Sequence, residues 1–273
     1  MIPITTYSEL RDFITAFAGG SINMLVVCSP GGLGKSEEVR LTLGDSDVVY
    51  VGGHVTPLGL YELLFEGRDK PVLFDEIDGL LGDPKHVGLL KQLCETRPIK
   101  RIQWSSKDRR AADIDGGVGH FETCSHVLIL CNSFIALSAN ISALGTRATV
   151  IRFDPRPNEI VAKIASFADD DEVLQFIDDF KDCIIDLSLR TYVKLVELKA
   201  AGLVWRKYAL QEADVPPKVI EIADLLVRFE TNIERLTHYS GSRRDFYNWK
   251  PQAEAYLRRQ QARQRGGAGP LAS

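Results

Sequence analysis

The residues Ser29-Pro30-Gly31-Gly32-Leu33-Gly34-Lys35-Ser36 have the types and order needed to hold a polyphosphate. Glycines let successive backbone N–H groups converge on an anion, and a helix starting directly afterwards adds the positive end of its dipole. In such a loop Lys35 reaches the outer phosphates and the Ser36 hydroxyl ligates Mg²⁺. The usual spacing G-x-x-x-x-G-K-[ST] begins with glycine where this chain has Ser29. The residue is still small, and Pro30-Gly31 still supplies a turn, so the motif reads as a variant. A second constellation follows: the apolar run Val72-Leu73-Phe74 ends in Asp75-Glu76. Asp75 is expected to hold Mg²⁺, directly or through water, and Glu76 to orient and deprotonate an attacking water. An acidic pair after an apolar strand is common by itself. At about forty residues beyond a phosphate loop, it supplies the other half of one metal–phosphate site. Asn132, closing the apolar run His126–Cys131, is placed to hold the hydrolytic water beside the γ-phosphate. Asp78 reads as a helix cap or a surface acid.

These side chains require strands that deliver them to one edge of a sheet. Met24–Cys28, 46–51, 72–76, His126–Cys131 and Ala148–Phe153 read as five short buried strands. Helices are expected over Tyr7–Phe17, after the phosphate loop, after Thr56-Pro57, and over His86–Thr96. Parallel strands linked by helices present their C-terminal ends to a ligand. Arg101–Ser105 (RIQWS) reads as a further short strand, followed by a polar, glycine-containing loop. In that loop Lys107, Arg109 and Arg110 are candidates for nucleic-acid contact, the alternative being ordinary charges on a solvated loop.

Composition sets the outer bounds. At 273 residues, with 45% hydrophobic and 26% charged residues, the chain has the make-up of a soluble globular protein with ample core. No apolar run is long enough to span a bilayer, and the N-terminus lacks the pattern of a signal peptide, so a cytoplasmic location is expected. Cys28, Cys94, Cys124, Cys131 and Cys183 lack C-x-x-C spacing and read as reduced thiols rather than a zinc site or disulfide frame. None of the five histidines is assigned chemistry, and His126 reads as structural. The net charge of −4 is uneven: residues 239–265 hold seven Lys or Arg against Asp245 and Glu254. A basic end on an acidic body points any nucleic-acid contact to the C-terminus.

Beyond Pro157 the pattern turns helical, with Asn158–Phe167, Asp171–Phe180 and Leu189–Ala201 as helices and Trp205 packing among them. Pro216-Pro217 marks another boundary. After an amphipathic helix at Lys218–Phe229, a helix, a Ser240-Gly241 turn and a second helix over 242–250 look like a helix-turn-helix. Ser242 and Asp245 have capping-box spacing, Phe246 and Trp249 are expected to pack inward, and Arg243, Arg244, Asn248 and Lys250 to face outward. In that geometry the second helix enters a major groove, with the alternative of a basic amphipathic helix that only closes the helical domain. The pattern also looks like DNA-binding segments of transposases and phage proteins. The arginine-, glutamine- and glycine-rich end from Arg258 reads as unstructured.

A phosphate loop, an Asp-Glu strand end, a strand-end Asn132 and then Arg147 ahead of the last strand resemble, in that order, the AAA+ ATPases. The resemblance covers roughly Ser21 to Gly202. It implies an α/β P-loop NTPase with a five-stranded parallel sheet core, a helical lid and a small helical C-terminal segment. The corresponding division is 1–155, 156–215 and 216–257, with 258–273 as a tail. It further implies ATP and Mg²⁺ as cofactors and Mg²⁺-dependent ATP hydrolysis as the activity. The ATP-binding set is Ser29 to Ser36, with Ser36 and Asp75 on the metal and Glu76 and Asn132 at the water. Arg147 stands where many members place an arginine that completes a neighbouring subunit's site; Arg109 or Arg110 is the alternative, and a supporting arginine at the sheet edge the plainer one. Leu187-Ser188-Leu189-Arg190 looks like the family's sensor 2, which implies that Arg190 reaches the γ-phosphate from the lid. The partners implied are further copies of the chain in a ring, such as a hexamer, and DNA, in replication or transposition of a phage or mobile element. The alternatives are an ATP-gated DNA-binding regulator with little turnover, and a protein-remodelling ATPase. Against the last, no aromatic-hydrophobic-glycine pore loop follows the second strand.

Overall fold

The computed structural model describes residues 1–44, 46–75, 80, 82–104, 114, 118–133, 147–181, 184, 186–209 and 217–266, with the backbone alone at 207, 217, 255 and 259–266. Glu76, Lys107, Arg109 and Arg110 lie outside the described residues. The chain divides into two compact units, Met1–Arg156 and Pro157–Ser273.

The first unit runs β1 (Ile2–Ile4), α1 (Tyr7–Ala18), β2 (Met24–Cys28), α2 (Lys35–Leu43), β3 (Val49–Gly52), α3 (Pro57–Glu66), β4 (Val72–Asp75), α4 (Pro84–Leu93), β5 (Lys100–Gln103), β6 (His120–Thr123), β7 (Val127–Cys131) and β8 (Thr149–Phe153). It is α/β, with a sheet in the order β1-β8-β2-β7-β4-β3 and every pairing parallel. The five expected strands are all present, but among the described residues the sheet has six. The added edge strand is Ile-Pro-Ile, too short for any alternation to show. It is fixed by Ile2–Ile4 pairing with Ile151–Phe153. β5 does not join this sheet: it pairs antiparallel with β6 in a separate two-stranded ribbon.

Helices start where local chemistry satisfies their first N–H groups. Thr6 Oγ1 accepts from Glu9 N at 3.2 Å while Glu9 Oε2 accepts from Thr6 N at 3.0 Å, a reciprocal cap for α1. Backbone N–H from Thr5, joined by Thr6, holds the Glu9 carboxyl below the usual range. Thr56 and Asp83 cap α3 and α4, each followed by a proline whose missing N–H costs nothing there. One row across the sheet, Val150–Val26–Ile129–Phe74–Val51, faces a core shared with Leu60, Leu64, Leu89, Leu90 and Phe121. The alternate residues Leu25, Val27, Leu128 and Leu130 are buried as well, so both faces are covered, as a parallel sheet demands. Each fully buried aliphatic or aromatic side chain contributes about 1.5–3 kcal/mol.

The second unit, described by itself, is helical: α5 (Pro157–Ala165), α6 (Asp171–Phe180), α7 (Leu189–Ala200), α8 (Trp205–Ala209), α9 (Pro217–Arg228), α10 (Asn232–His238) and α11 (Arg243–Gly266). Trp205 is buried edge-on against Phe176 at 5.0 Å. Lys199 bridges Asp170 and Glu172, tying α7 to the start of α6. α11 runs through Pro251 and past Arg258 to Gly266, into the segment whose composition reads as unstructured. Among the described residues, no helix is long and apolar enough to cross a membrane.

Candidate functional site

The loop between β2 and α2 carries the first constellation. β2 is buried throughout and ends at Cys28, so Ser29 emerges at the C-terminal edge of the sheet. Its N–H donates to Cys131 O at 3.2 Å, which continues the ladder between β2 and β7 by one rung. Gly32 (φ 82°) and Gly34 (φ 76°) adopt left-handed backbone that costs other residues about 1–2 kcal/mol. Gly34 is the N-cap of α2, whose first turn contains Lys35 and Ser36. Ser29 and Gly31 are not among the positive-φ positions. A serine for the first glycine is therefore admissible on backbone grounds, and Ser29 Oγ donates to Pro30 O at 3.1 Å.

Lys35 is buried, and its ammonium folds into the loop. Nζ donates to Ser29 O at 2.6 Å, to Pro30 O at 3.0 Å and to Asn132 Oδ1 at 3.2 Å. The loop lysine and the strand-end amide, far apart in sequence, thus meet. Carbonyl oxygens stand around the cation where anionic oxygens would bind more strongly. Asp75 ends β4, half-buried at the same sheet edge, one strand beyond β7. The Tyr50 hydroxyl lies 3.4 Å from Asp75 Oδ2. Ser36 is exposed. A carboxylate and a hydroxyl are hard oxygen donors that fit Mg²⁺, which keeps several waters and needs few protein ligands. Among the described residues no cluster of three or more His, Cys, Asp or Glu could hold another metal.

Two supports of the loop escaped sequence reasoning. The Tyr7 hydroxyl on α1 donates to Leu33 O at 3.1 Å, and Arg11 Nη1 meets the buried Glu38 of α2 at 3.2 Å. Tyr7 belongs to the apolar stripe of α1, so nothing in its spacing signals the bond. Tyr7→Phe should loosen the loop by about 0.5–1.5 kcal/mol through loss of one buried hydrogen bond, measured as faster hydrogen exchange of the amides around Leu33 with unchanged circular dichroism.

Arg147 lies at the other edge of the sheet. Leu25 pairs with Thr149 and Cys28 with Arg152, so Arg147 precedes the start of β8, level with the beginning of β2. At about 3.3 Å per residue it stands roughly 15 Å or more from Ser29 of its own chain. It is exposed, and it acts electrostatically on Cys94 at the end of α4, whose thiol burial pushes up to about 12. Cys94 is therefore inert. His126 packs edge-on against Phe17 at 4.8 Å, and burial lowers its pKa.

In the second unit, Arg190 is exposed in the first turn of α7, after Ser188 N donates to Thr191 Oγ1 at 3.1 Å. Arg243, Arg244 and Asn248 are exposed near the start of α11, with Asp245 N donating to Ser242 Oγ at 3.2 Å. Phe246 is fully buried, packed against Tyr239 at 5.4 Å, and Trp249 is half-buried. Asp245 accepts from Lys218 at 2.6 Å and from Tyr239 at 2.9 Å, and Lys218 first among these holds its carboxyl below the ordinary range. Lys250 does not simply face outward: half-buried, its Nζ donates to Asn232 Oδ1 at 3.2 Å and pairs with Glu254 at 3.6 Å. A helix-face reading sees only the period of the helix, and the Asn232 partner sits on a different one.

No protein-family profile matches the sequence, and no curated protein does. Among solved structures, the chain is similar to NtrX from Brucella abortus in complex with ADP, at 14% identity and a TM-score of 0.42. The match covers 89% of this chain and 48% of that one, so the chain spans about half the length of NtrX. It is also similar to a katanin structure solved for the basis of its self-assembly, at 18% identity and a TM-score of 0.43, covering 91% of this chain and 86% of that one.

Proposed function

We propose that the chain is an oligomeric ATPase of AAA+ type that couples ATP hydrolysis to the binding or remodelling of DNA. The observation that carries the reading is the distribution of charge about the sheet. Lys35, Asn132 and Asp75 gather at its C-terminal edge, with Lys35 held on Asn132 at 3.2 Å, while Arg147 stands at the opposite edge. An arginine so placed cannot serve its own loop, yet it is free to serve the loop of a second copy docked edge to edge.

In this reading the N–H groups of Gly31 to Ser36 take the phosphates, and Lys35 exchanges its carbonyl partners for β- and γ-phosphate oxygens. Asn132, released from Lys35, holds the attacking water, and Glu76 takes its proton. Ser36 and Asp75 hold Mg²⁺, which when bound neutralises charge on the phosphates. Arg147 of a neighbouring copy meets the charge that develops on the transferred phosphoryl group. Because each site then needs two copies, a closed ring such as a hexamer satisfies every site.

The DNA part rests on Arg243, Arg244 and Asn248, exposed on the early turns of a capped helix, and on Lys107, Arg109 and Arg110 in the segment joining β5 and β6. Arg243→Ala and Arg244→Ala should each lower the slope of log affinity against log salt by about one, with similar losses across DNA sequences, read by fluorescence anisotropy. The coupling is tested by the steady-state ATPase rate with and without single- and double-stranded DNA, with Glu76→Gln as control. Stimulation that the control abolishes supports the reading. ATP-dependent DNA affinity without turnover supports an ATP-gated regulator instead, and hydrolysis indifferent to nucleic acid points to a protein substrate.

A further inference from the structure

The second unit holds a groove of ≈ 640 Å³ between α6, α8 and α9, walled by Phe176, Val204, Ile220 and Leu225. Asp224 lies in it, 8% exposed. Its Oδ2 faces Arg228 Nη1 at 3.5 Å and Arg206 Nε at 4.0 Å. Its Oδ1 is buried with no hydrogen-bond partner among the described residues, and so is Arg206 Nε. Arg206 is not free to turn toward that oxygen: Nη2 donates to Glu172 Oε1 at 2.5 Å, and the guanidinium lies 4.5 Å from the Trp205 ring centre. Burial pushes the Asp224 carboxyl above the ordinary range despite both arginines. An acceptor and a donor on neighbouring side chains, each without a hydrogen bond among the described residues, match an N–H beside a C=O. Phe229 and His238 line the same groove, stacked at 4.5 Å with 5° between their planes, and offer a flat aromatic surface.

We infer that this groove binds the lactam edge of a nucleobase, the N–H of guanine, uracil or thymine donating to Asp224 Oδ1 and its neighbouring C=O accepting from Arg206 Nε. Adenine and cytosine lack an N–H directly beside a C=O on that edge and fit poorly. The groove has the volume of a small-molecule site. The ring enters past the Arg228 side chain, which is 39% exposed. The base comes either from a free nucleoside or from an unpaired strand. This site is independent of the proposed ATP site in the first unit.

The test is saturation-transfer NMR on the full chain with guanosine, uridine, adenosine and cytidine, which carry no phosphate for the glycine-rich loop to hold. Guanosine and uridine should bind at least tenfold more tightly than adenosine and cytidine, and equally well to Lys35→Ala. In Asp224→Asn the two arginines keep the amide oxygen, so the NH₂ replaces Oδ1. Guanosine should then weaken at least tenfold, and cytidine should gain on it. A thymidine trinucleotide that binds where guanosine does not assigns the base to a strand; binding of guanosine assigns it to the free nucleoside. Failure of both, or equal binding of all four nucleosides by wild type and variant, overturns the inference.

Discussion

Arg147→Ala should abolish ATP hydrolysis, by about 10³-fold or more, while leaving ATP affinity of the single chain unchanged. The expectation follows from the register of β8. With Leu25 opposite Thr149, Arg147 enters the sheet at the end where the strands begin, whereas Ser29 leaves β2 where they end. No rotamer of arginine spans that gap, so its loss cannot touch the nucleotide in its own chain. The signature is therefore asymmetric. Mixed with Lys35→Ala, itself inactive, Arg147→Ala should recover part of the wild-type rate, because some interfaces then combine an intact loop with an intact arginine. An arginine that only supports the sheet edge would give no recovery, and would lower the unfolding midpoint instead.

Lys35→Ala should remove both hydrolysis and most nucleotide affinity, the former by about 10²–10³-fold or more. Its ammonium lies at the centre of the loop, on Ser29 O, Pro30 O and Asn132 Oδ1. Alanine leaves two carbonyls and an amide oxygen facing one another with no cation between them, so the empty loop should become less ordered as well. Hydrogen exchange of the amides from Gly31 to Ser36, compared with wild type, reads that second effect separately from the lost phosphate contact. Lys35→Arg should not rescue, since the planar guanidinium is too large for a pocket shaped around one nitrogen.

The path from sequence to site was clearest where the physics is local. Apolar runs of four or five residues ending in Cys28, Asp75 and Cys131 are too short for helices of their own and read as buried strands, from which the α/β sheet follows. The convergence of Lys35 with Asn132 was legible because the loop carrying Lys35 leaves the end of β2 and Asn132 follows the end of β7, ends that a parallel sheet brings to one edge. What escaped had no local signature. β1 is three residues long and is defined by its partner β8 rather than by its own pattern. The ribbon of β5 and β6 needed His120–Thr123 to be seen as the mate of Lys100–Gln103, across a glycine-rich stretch that gives no period. Tyr7 reads as one more residue of an apolar helix stripe until Leu33 O is placed beside its hydroxyl. Lys250 reads as a solvent-facing cation until Asn232 and Glu254 are brought to it. The length of α11 reflects a run of arginine, glutamine and alanine, good helix formers whose polarity resembles that of an unstructured tail.

The central claim is that the loop from Ser29 to Ser36 binds a nucleoside triphosphate through Lys35. Calorimetric titration of ATP with Mg²⁺ into the wild-type chain and into Lys35→Ala tests it most directly. The account predicts one saturable site per chain in the wild type and its loss in the variant. No binding in the wild type, or the same isotherm in both, would contradict it.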